Sequence, residues 1–339
     1  MTGSAPHSLD QRCRALVVDL GLARPADIQS VVPLTGGVAS DIAVVDLGAR
    51  RVCVKFALPK LRVAQDWHAP LHRNKAEYAW LACVGAVLPH NVPRLFGRSD
   101  AQHGFAMEFL TGADVFLWKA ALLAQKPPQG EAAMVGRVLG RIHAASTAPG
   151  FDAGPFHNRD DFRAIRLEPY LSFTASRHPD LASRISTLVE ALYASHTVLV
   201  HGDVSPKNIL FRNGEPIMLD AECATMGDAG FDLAFCLNHL ILKAIHLPLQ
   251  RAVLLGEATA LWNAYATFVN WEPLDALQSR ICALLPALML ARVDGKSPVE
   301  YLTDAARQTV RGLAIRLMLD PVHDLARLIA SIAAQLESA

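Results

Sequence analysis

The sequence predicts an α+β protein of two lobes, a small β-rich one over residues 1–110 and a larger, mostly helical one over 111–339. Two observations carry this. Short β-branched runs separated by turn residues dominate up to about residue 110, and apolar residues then recur every three or four positions almost to the end. The 339-residue length suits two domains or one large two-lobed one.

In the first lobe, residues 28–34 and 41–47 read as strands flanking Thr35-Gly36-Gly37-Val38-Ala39-Ser40. Leu47-Gly48-Ala49 turns the chain into 51–56, RVCVKF, whose alternation is that of a strand. Ala76, Trp80, Leu81 and Val84 are spaced as one face of a helix over 71–87. Strands over 94–97 and 104–109 flank the polar turn Ser99-Asp100-Ala101-Gln102. From Asp114 the spacing predicts helices at 134–146, 161–174, 181–195, 231–246, 251–269, 274–293, 301–319 and 324–337. One β-rich island interrupts them, with strands at 198–200, 209–211 and 217–219 and Asn213-Gly214 as a hairpin signal.

Composition narrows the function classes. Thirty-two basic side chains balance thirty-two acidic ones, which gives no electrostatic footprint for nucleic acid or an anionic membrane. At 52% apolar and 19% charged, the chain has the material for a sizeable core. The greasiest stretch, 281–291, is shorter than a membrane span and contains Pro286. The first residues, MTGSAPHSLDQRCR, lack the apolar core of a secretory signal. Six scattered cysteines form no CxxC pair and read as buried thiols of a reducing compartment, so a cytoplasmic location is expected.

The island carries the chemistry. In VLVHGDVSPKNILFRNGEPIMLDAE, His201, Asp203 and Asn208 spell HxDxxxxN, and Asp220 follows at the end of the next strand. Phosphoryl transfer from ATP needs a carboxylate to orient or deprotonate the attacking hydroxyl, and oxygen ligands to hold Mg²⁺ on the phosphates. A loop Asp, an Asn five residues later and an Asp on the paired strand meet those needs. A tight turn, with Gly202, Asp203 and Pro206 serving only the backbone, is the plainer alternative. Upstream, Lys55 in an alternating strand and Glu77 on the next helix suit an ion pair that steadies the lysine against ATP phosphates. Taken singly they are ordinary surface charges; the order Lys55, Glu77, Asp203, Asn208, Asp220 makes that less attractive. Gly36 and Gly37 could admit phosphates to backbone amides or merely turn a hairpin, and no GxxxxGK[ST] is present.

These residues resemble the aminoglycoside phosphotransferase/choline kinase superfamily, small-molecule relatives of protein kinases, from about Pro33 to Leu240. HGDVSPKNIL is typical of it; protein kinases more often carry HRD and a lysine where Ser205 stands. The resemblance implies a protein-kinase-like fold, with a nucleotide-binding first lobe and a catalytic, acceptor-binding second lobe. It implies ATP and Mg²⁺ as cofactors, Asp203 as the catalytic carboxylate, and Asn208 and Asp220 as metal ligands, with Glu222 assisting the metal or the acceptor. Met107-Glu108-Phe109-Leu110 looks like the hinge that meets the adenine. Asp232, in Gly230-Phe231-Asp232-Leu233-Ala234, would cap a helix and brace the 201–208 loop.

Motifs after the lysine are closest to methylthioribose kinase: Lys55, Ala57-Leu58-Pro59, Arg62, Trp67, Arg73, Glu77 and the triplet Asp220-Ala221-Glu222. Trp67 would close over nucleotide and sugar. Two features depart from that branch, which tends to have Ser where Asn208 stands and adjacent sugar-contacting arginines near its C-terminus. Here only isolated Arg292 and Arg311 remain. Arg292, Asp294 and Lys296 line an acceptor pocket or form a solvated helix-capping loop. Scattered acids and 7% aromatics favour a neutral, sugar-like acceptor over aminoglycosides or choline. The expected activity is therefore ATP- and Mg²⁺-dependent phosphorylation of a small hydroxylated metabolite. An antibiotic phosphotransferase and a nucleotide-binding pseudokinase are the alternatives, and homodimerisation is left open.

Overall fold

The structure is a computed structural model that describes residues 8–34, 40–60, 62 and 70–337. The chain divides into two compact units, Met1–Gly112 and Ala113–Ala339.

The first unit opens with helix α1 (Leu9–Asp19), which the strand-like reading of this lobe did not anticipate. Its start is written locally: the Ser8 and Gln11 side chains each accept from the other's backbone N–H, a capping box. Five antiparallel strands follow, β1 (Ser30–Pro33), β2 (Ser40–Asp46), β3 (Arg51–Ala57), β4 (Leu95–Ser99) and β5 (Gly104–Glu108), in the order β1-β2-β3-β5-β4. Helix α2 (Arg73–Val87) lies between β3 and β4 in sequence. Strand periodicity sends Val52, Val54 and Phe56 into a core with Cys13, Leu16 and Val17 of α1, so Cys53, Lys55 and Ala57 occupy the other face of β3.

The second unit begins with β6 (Val115–Leu117), α3 (Trp118–Leu123) and α4 (Glu131–Ser146). The predicted single helix over 161–174 is instead α5 (Arg159–Phe162), a π-helical segment Arg163–Ser172, and α6 (Phe173–Arg177). Pro169 is the reason: it lacks an N–H and would clash in a regular α-turn, and the wider spiral accommodates it. Then come α7 (Ala182–Ala194), β7 (Val198–Val200), β8 (Ile209–Arg212), β9 (Glu215–Met218), β10 (Thr225–Gly227), α8 (Ala229–His246), α9 (Arg251–Ala266), α10 (Leu274–Asp294), α11 (Asp304–Leu319) and α12 (Leu325–Glu337).

The expected island is two small sheets. The β8–β9 hairpin turns at Asn213-Gly214 and takes β6 as a third strand, whereas β7 pairs with β10. Helix α8 is buried over residues 229–245 and wrapped by α9, α10, α11 and β7, the position of a helix that is apolar all round. Helices α4 and α9 pack closely because Gly136 has no side chain; a Cβ there would come within 2.2 Å of the Leu261 carbonyl. Helix α10 is long and apolar enough to cross a membrane by length and composition, with a mean hydropathy of 1.4. Its packing against α8 and α11 gives that apolarity a core role, with 61% of the window buried.

Candidate active site

In the second unit, the loop that follows β7 is held by a buried carboxylate. Asp232, in the first turn of α8, accepts from the backbone N–H of His201 at 2.7 Å and of Gly202 at 2.8 Å. The sequence motif assigned Asp232 both helix capping and loop bracing. The structure divides the tasks: Asp228 is the N-cap of α8, accepting from Gly230 N, and Asp232 braces the loop. Gly202 turns the chain at φ +77°, where an added Cβ would stand 2.7 Å from the Cys223 Cβ.

His201 is a structural imidazole. Its Nε2 donates to the Leu219 carbonyl at 3.0 Å, and its Nδ1 accepts the Asp203 N–H at 3.2 Å. Burial pushes its pKa down despite the nearby Asp232, Asp203 and Asp220, so the neutral tautomer that both hydrogen bonds require is the stable one.

Asp203 is 2% exposed, and its two oxygens differ. Oδ2 lies 2.8 Å from Arg166 Nη2 and 3.2 Å from Lys207 Nζ. Oδ1 is buried and, among the described residues, has no hydrogen-bond partner. Burial alone would raise the carboxyl pKa; Lys207 and Arg166 outweigh it and hold the group below its usual range. Arg166 is fixed in turn by donating from Nε to the Gly202 carbonyl at 2.6 Å.

Asn208 ends a short 3₁₀ turn and donates from Nδ2 to the Asp203 carbonyl at 3.1 Å, so its Oδ1 is the atom that could hold a cation. Leu219 N donates to the Asn208 carbonyl at 2.9 Å, one step beyond the Ile209–Met218 pair of the hairpin. That register brings Asp220 beside Asn208. Asp220 has φ +69°, a strained value for a residue with a side chain and one that concentrates at functional sites. Glu222 is buried and acts electrostatically on Arg166.

Within the first unit, Lys55 and Glu77 are not surface charges. Lys55 Nζ, on β3, stands 2.9 Å from Glu77 Oε1 and 2.7 Å from Oε2, and the residues are 2% and 1% exposed. Ala76, Trp80, Leu81 and Val84 are buried on α2 as their spacing predicted, and Glu77 is buried with them. Glu108 ends β5, its N–H donating to the Arg94 carbonyl, and Phe109 packs under the Arg51 guanidinium. Gly36, Gly37 and Trp67 lie outside the described residues.

The polar stretch after Ala291 is no solvated loop. Arg292 and Asp294 are buried in the last turn of α10. Asp294 is engaged by Arg311 at 2.6 and 2.8 Å and by His178 at 2.8 Å, an internal ion-pair network. Arg292 Nη1 reaches the Tyr170 hydroxyl at 3.3 Å, and the Lys296 ammonium lies over Phe173. Sequence reasoning missed Arg166 and Lys207. Lys207 was signalled by its place four residues after Asp203 inside the motif; Arg166 carried no local signal.

Among the described residues no three His, Cys, Asp or Glu side chains form a self-sufficient metal cage. Mg²⁺ prefers few protein oxygens, its remaining positions going to phosphates and water. Asn208 Oδ1 and Asp220, with Glu222 nearby, fit that ion.

The fold is protein-kinase-like, with a β-rich first unit and a mostly helical second one. The chain matches the sequence profile of the phosphotransferase enzyme family APH over residues 30–277, and it belongs to that family. It is similar to methylthioribose kinase of Yersinia pseudotuberculosis serotype O:3 (strain YPIII), 24% identical over 256 residues, which cover 65% of this chain and 62% of that protein. It is similar also to methylthioribose kinase of Bacillus velezensis, at 25% identity over 67% of this chain and 64% of that one. The match thus spans less than two thirds of either relative's length. Among solved structures, amicoumacin kinase hAmiN in complex with AMP-PNP, Ca²⁺ and Ami shares the fold at TM-score 0.58 and 12% identity, covering 94% of this chain and 98% of that one. An aminoglycoside phosphotransferase of Alicyclobacillus acidocaldarius shares it at TM-score 0.52 and 14% identity, covering 99% and 98%.

Proposed function

We propose that this chain transfers the γ-phosphate of ATP, with Mg²⁺, to a hydroxyl of a small acceptor. The observation that carries the reading is the divided Asp203 carboxylate: Oδ2 is gripped by Arg166 and Lys207, while Oδ1 is buried and, among the described residues, has no hydrogen-bond partner. Oδ1 accepts the acceptor's O–H and aims its oxygen. A carboxylate held below its usual pKa is a weak base, so orientation is its first task. The proton moves to Oδ1 late, as the phosphoryl group arrives, in keeping with a loose transition state. Lys207, partly exposed, supplies positive charge where the transferred group gathers negative charge. Asn208 and Asp220 hold the metal, with Glu222 assisting. Lys55, fixed by Glu77, binds donor phosphates. The metal offsets charge on the phosphate oxygens.

The test is coupled ADP release by the full chain over a panel of hydroxylated metabolites, methylthioribose first because kinases of that name are its relatives. An acceptor-dependent rate that Asp203→Asn abolishes supports the reading. ATP binding without transfer to any acceptor favours a pseudokinase. Turnover confined to aminoglycosides, with resistance in a sensitive host, favours an antibiotic-modifying role.

A further inference from the structure

Phe235, His239 and Lys243 are spaced four apart on α8 and share one of its faces. That face changes from aromatic to basic along its length. The Phe235 ring lies 5.6 Å from Tyr170 and 5.3 Å from His239, and the Lys243 ammonium then stands 5.1 Å from the Tyr301 ring centre. Arg292 of α10 completes the group. Its guanidinium sits 5.5 Å from the Tyr170 ring, and the Arg166 guanidinium sits 5.7 Å from the same ring. One aromatic ring therefore separates Arg292 from the guanidinium that grips Asp203.

These donors are buried and only partly met: Arg292 Nη1 donates to the carbonyl and hydroxyl of Ser297 and to the Tyr170 hydroxyl. His239, Lys243 and Arg292 are 5%, 1% and 6% exposed. Among the described residues, His239 Nε2, Arg292 Nε and the Tyr301 hydroxyl have no hydrogen-bond partner. The Lys243 ammonium reaches only the His239 carbonyl, at 3.4 Å, and has no ion pair among the described residues. The acid nearby, Glu300, is exposed and engages Lys119. Burying a cationic group without a counter-charge is costly and favours loss of its proton, as burial does at His239 and Lys243; an anionic ligand would offset that cost.

We propose that His239, Lys243, Tyr301 and Arg292 form an anion subsite, so that the hydroxyl compound phosphorylated at Asp203 carries a carboxylate or phosphate group. The proposal rests on the kinase reading for the word acceptor; the anion subsite itself does not. Placement suits one small molecule. Asp232, which holds the Asp203 loop, and His239 are seven residues apart on α8, about 10 Å at the helical rise. The Lys243 and Arg292 charges would repel polycationic acceptors, and the proposal departs from the neutral acceptor that composition favoured.

The test uses the full chain and Lys243→Met, which preserves side-chain bulk, with two readouts. In thermal-shift titration, inorganic phosphate and acetate serve as probes. Wild type is expected to bind at least one of them ten-fold or more tightly than Lys243→Met, and the preferred probe distinguishes phosphate from carboxylate. In the ADP-release screen, sugar phosphates and hydroxy acids are paired with their neutral counterparts. An anionic acceptor is expected to exceed its neutral partner by 100-fold or more in kcat/KM. Lys243→Met raises that acceptor's KM at least 30-fold, with the loss in KM rather than kcat. Equal anion binding by the two proteins, or a preferred acceptor without an anionic group, overturns the proposal. Lys243-dependent anion binding with no ADP release from any acceptor leaves the subsite standing and overturns the kinase reading instead.

Discussion

Lys243→Met is expected to stabilise the folded protein by about 2–5 kcal/mol at pH 7 and by less than about 1 kcal/mol at pH 10. Burial pushes this lysine from its ordinary 10.5 down to about 7, aided by Lys119 and Arg292 and opposed by Cys236 and Glu300. Between those two values the unfolded chain holds a proton that the folded chain has given up. Stability therefore falls as the pH drops from about 10.5 towards 7, by about 1.4 kcal/mol per pH unit, and levels off below. The full gap is about 5 kcal/mol, an upper bound that local relaxation and water entry reduce. Methionine keeps the aliphatic volume and carries no charge, so the penalty disappears with little repacking. Urea denaturation of both proteins at pH 7, 8.5 and 10 measures the difference. Equal stability at pH 7, or a gain that grows with alkalinity, would refute the argument. A stabilised variant with a weakened anion site would mark Lys243 as kept for binding at a cost in stability.

Other outcomes follow from the same geometry. Asp203→Asn should lower turnover by about 10³-fold while destabilising by only about 1–3 kcal/mol, since the amide oxygen still accepts from Arg166; single-turnover kinetics and chemical denaturation measure both. Glu77→Gln strips the buried Lys55 ammonium of its counter-charge and should cost about 3 kcal/mol while weakening ATP binding, checked by urea melts and calorimetry. Asp232→Ala leaves the His201 and Gly202 N–H groups unpaired in the interior, an expected loss of about 3–5 kcal/mol seen as a lower Tm. His201 is neutral in the fold, so the unfolded chain alone gains a proton as pH falls below 6.5. Its stabilising contribution is present above 6.5 and lost through the lower folded value, and His201→Asn should flatten that acid slope in denaturation at pH 7, 6 and 5.

Much of the fold was legible because its signals are local. The alternation in 51–56, the helical spacing around Trp80 and the Asn213-Gly214 turn each specify their element within a few residues. The Ser8–Gln11 box wrote the start of α1 just as plainly but lies outside the stretch whose texture drew attention. Strands β6 and β10 are three residues each, too short to show a period against helical surroundings, and exist through long-range pairing. Asn208 and Asp220 flank the two ends of the β8–β9 hairpin, so their proximity follows from register, whereas Asp203 lies in the preceding loop that Asp232 holds from α8. Arg166 could not be read that way, since it reaches Asp203 from 37 positions upstream through the fold alone. Lys55 and Glu77 were named through the order of a motif set, whereas their burial is a tertiary fact.

The π-helical segment bears on how relatives should be compared. Residues 163–172 hydrogen-bond with the wider spiral, as in Phe173 N to Glu168 O, and so hold more chain per turn than an α-helix of equal length. A homologue with an unbroken α-helix here would present its equivalent of Arg166 from a neighbouring alignment column. Column-by-column comparison would then score this arginine as variable, and the correspondence has to be sought by superposing guanidinium groups.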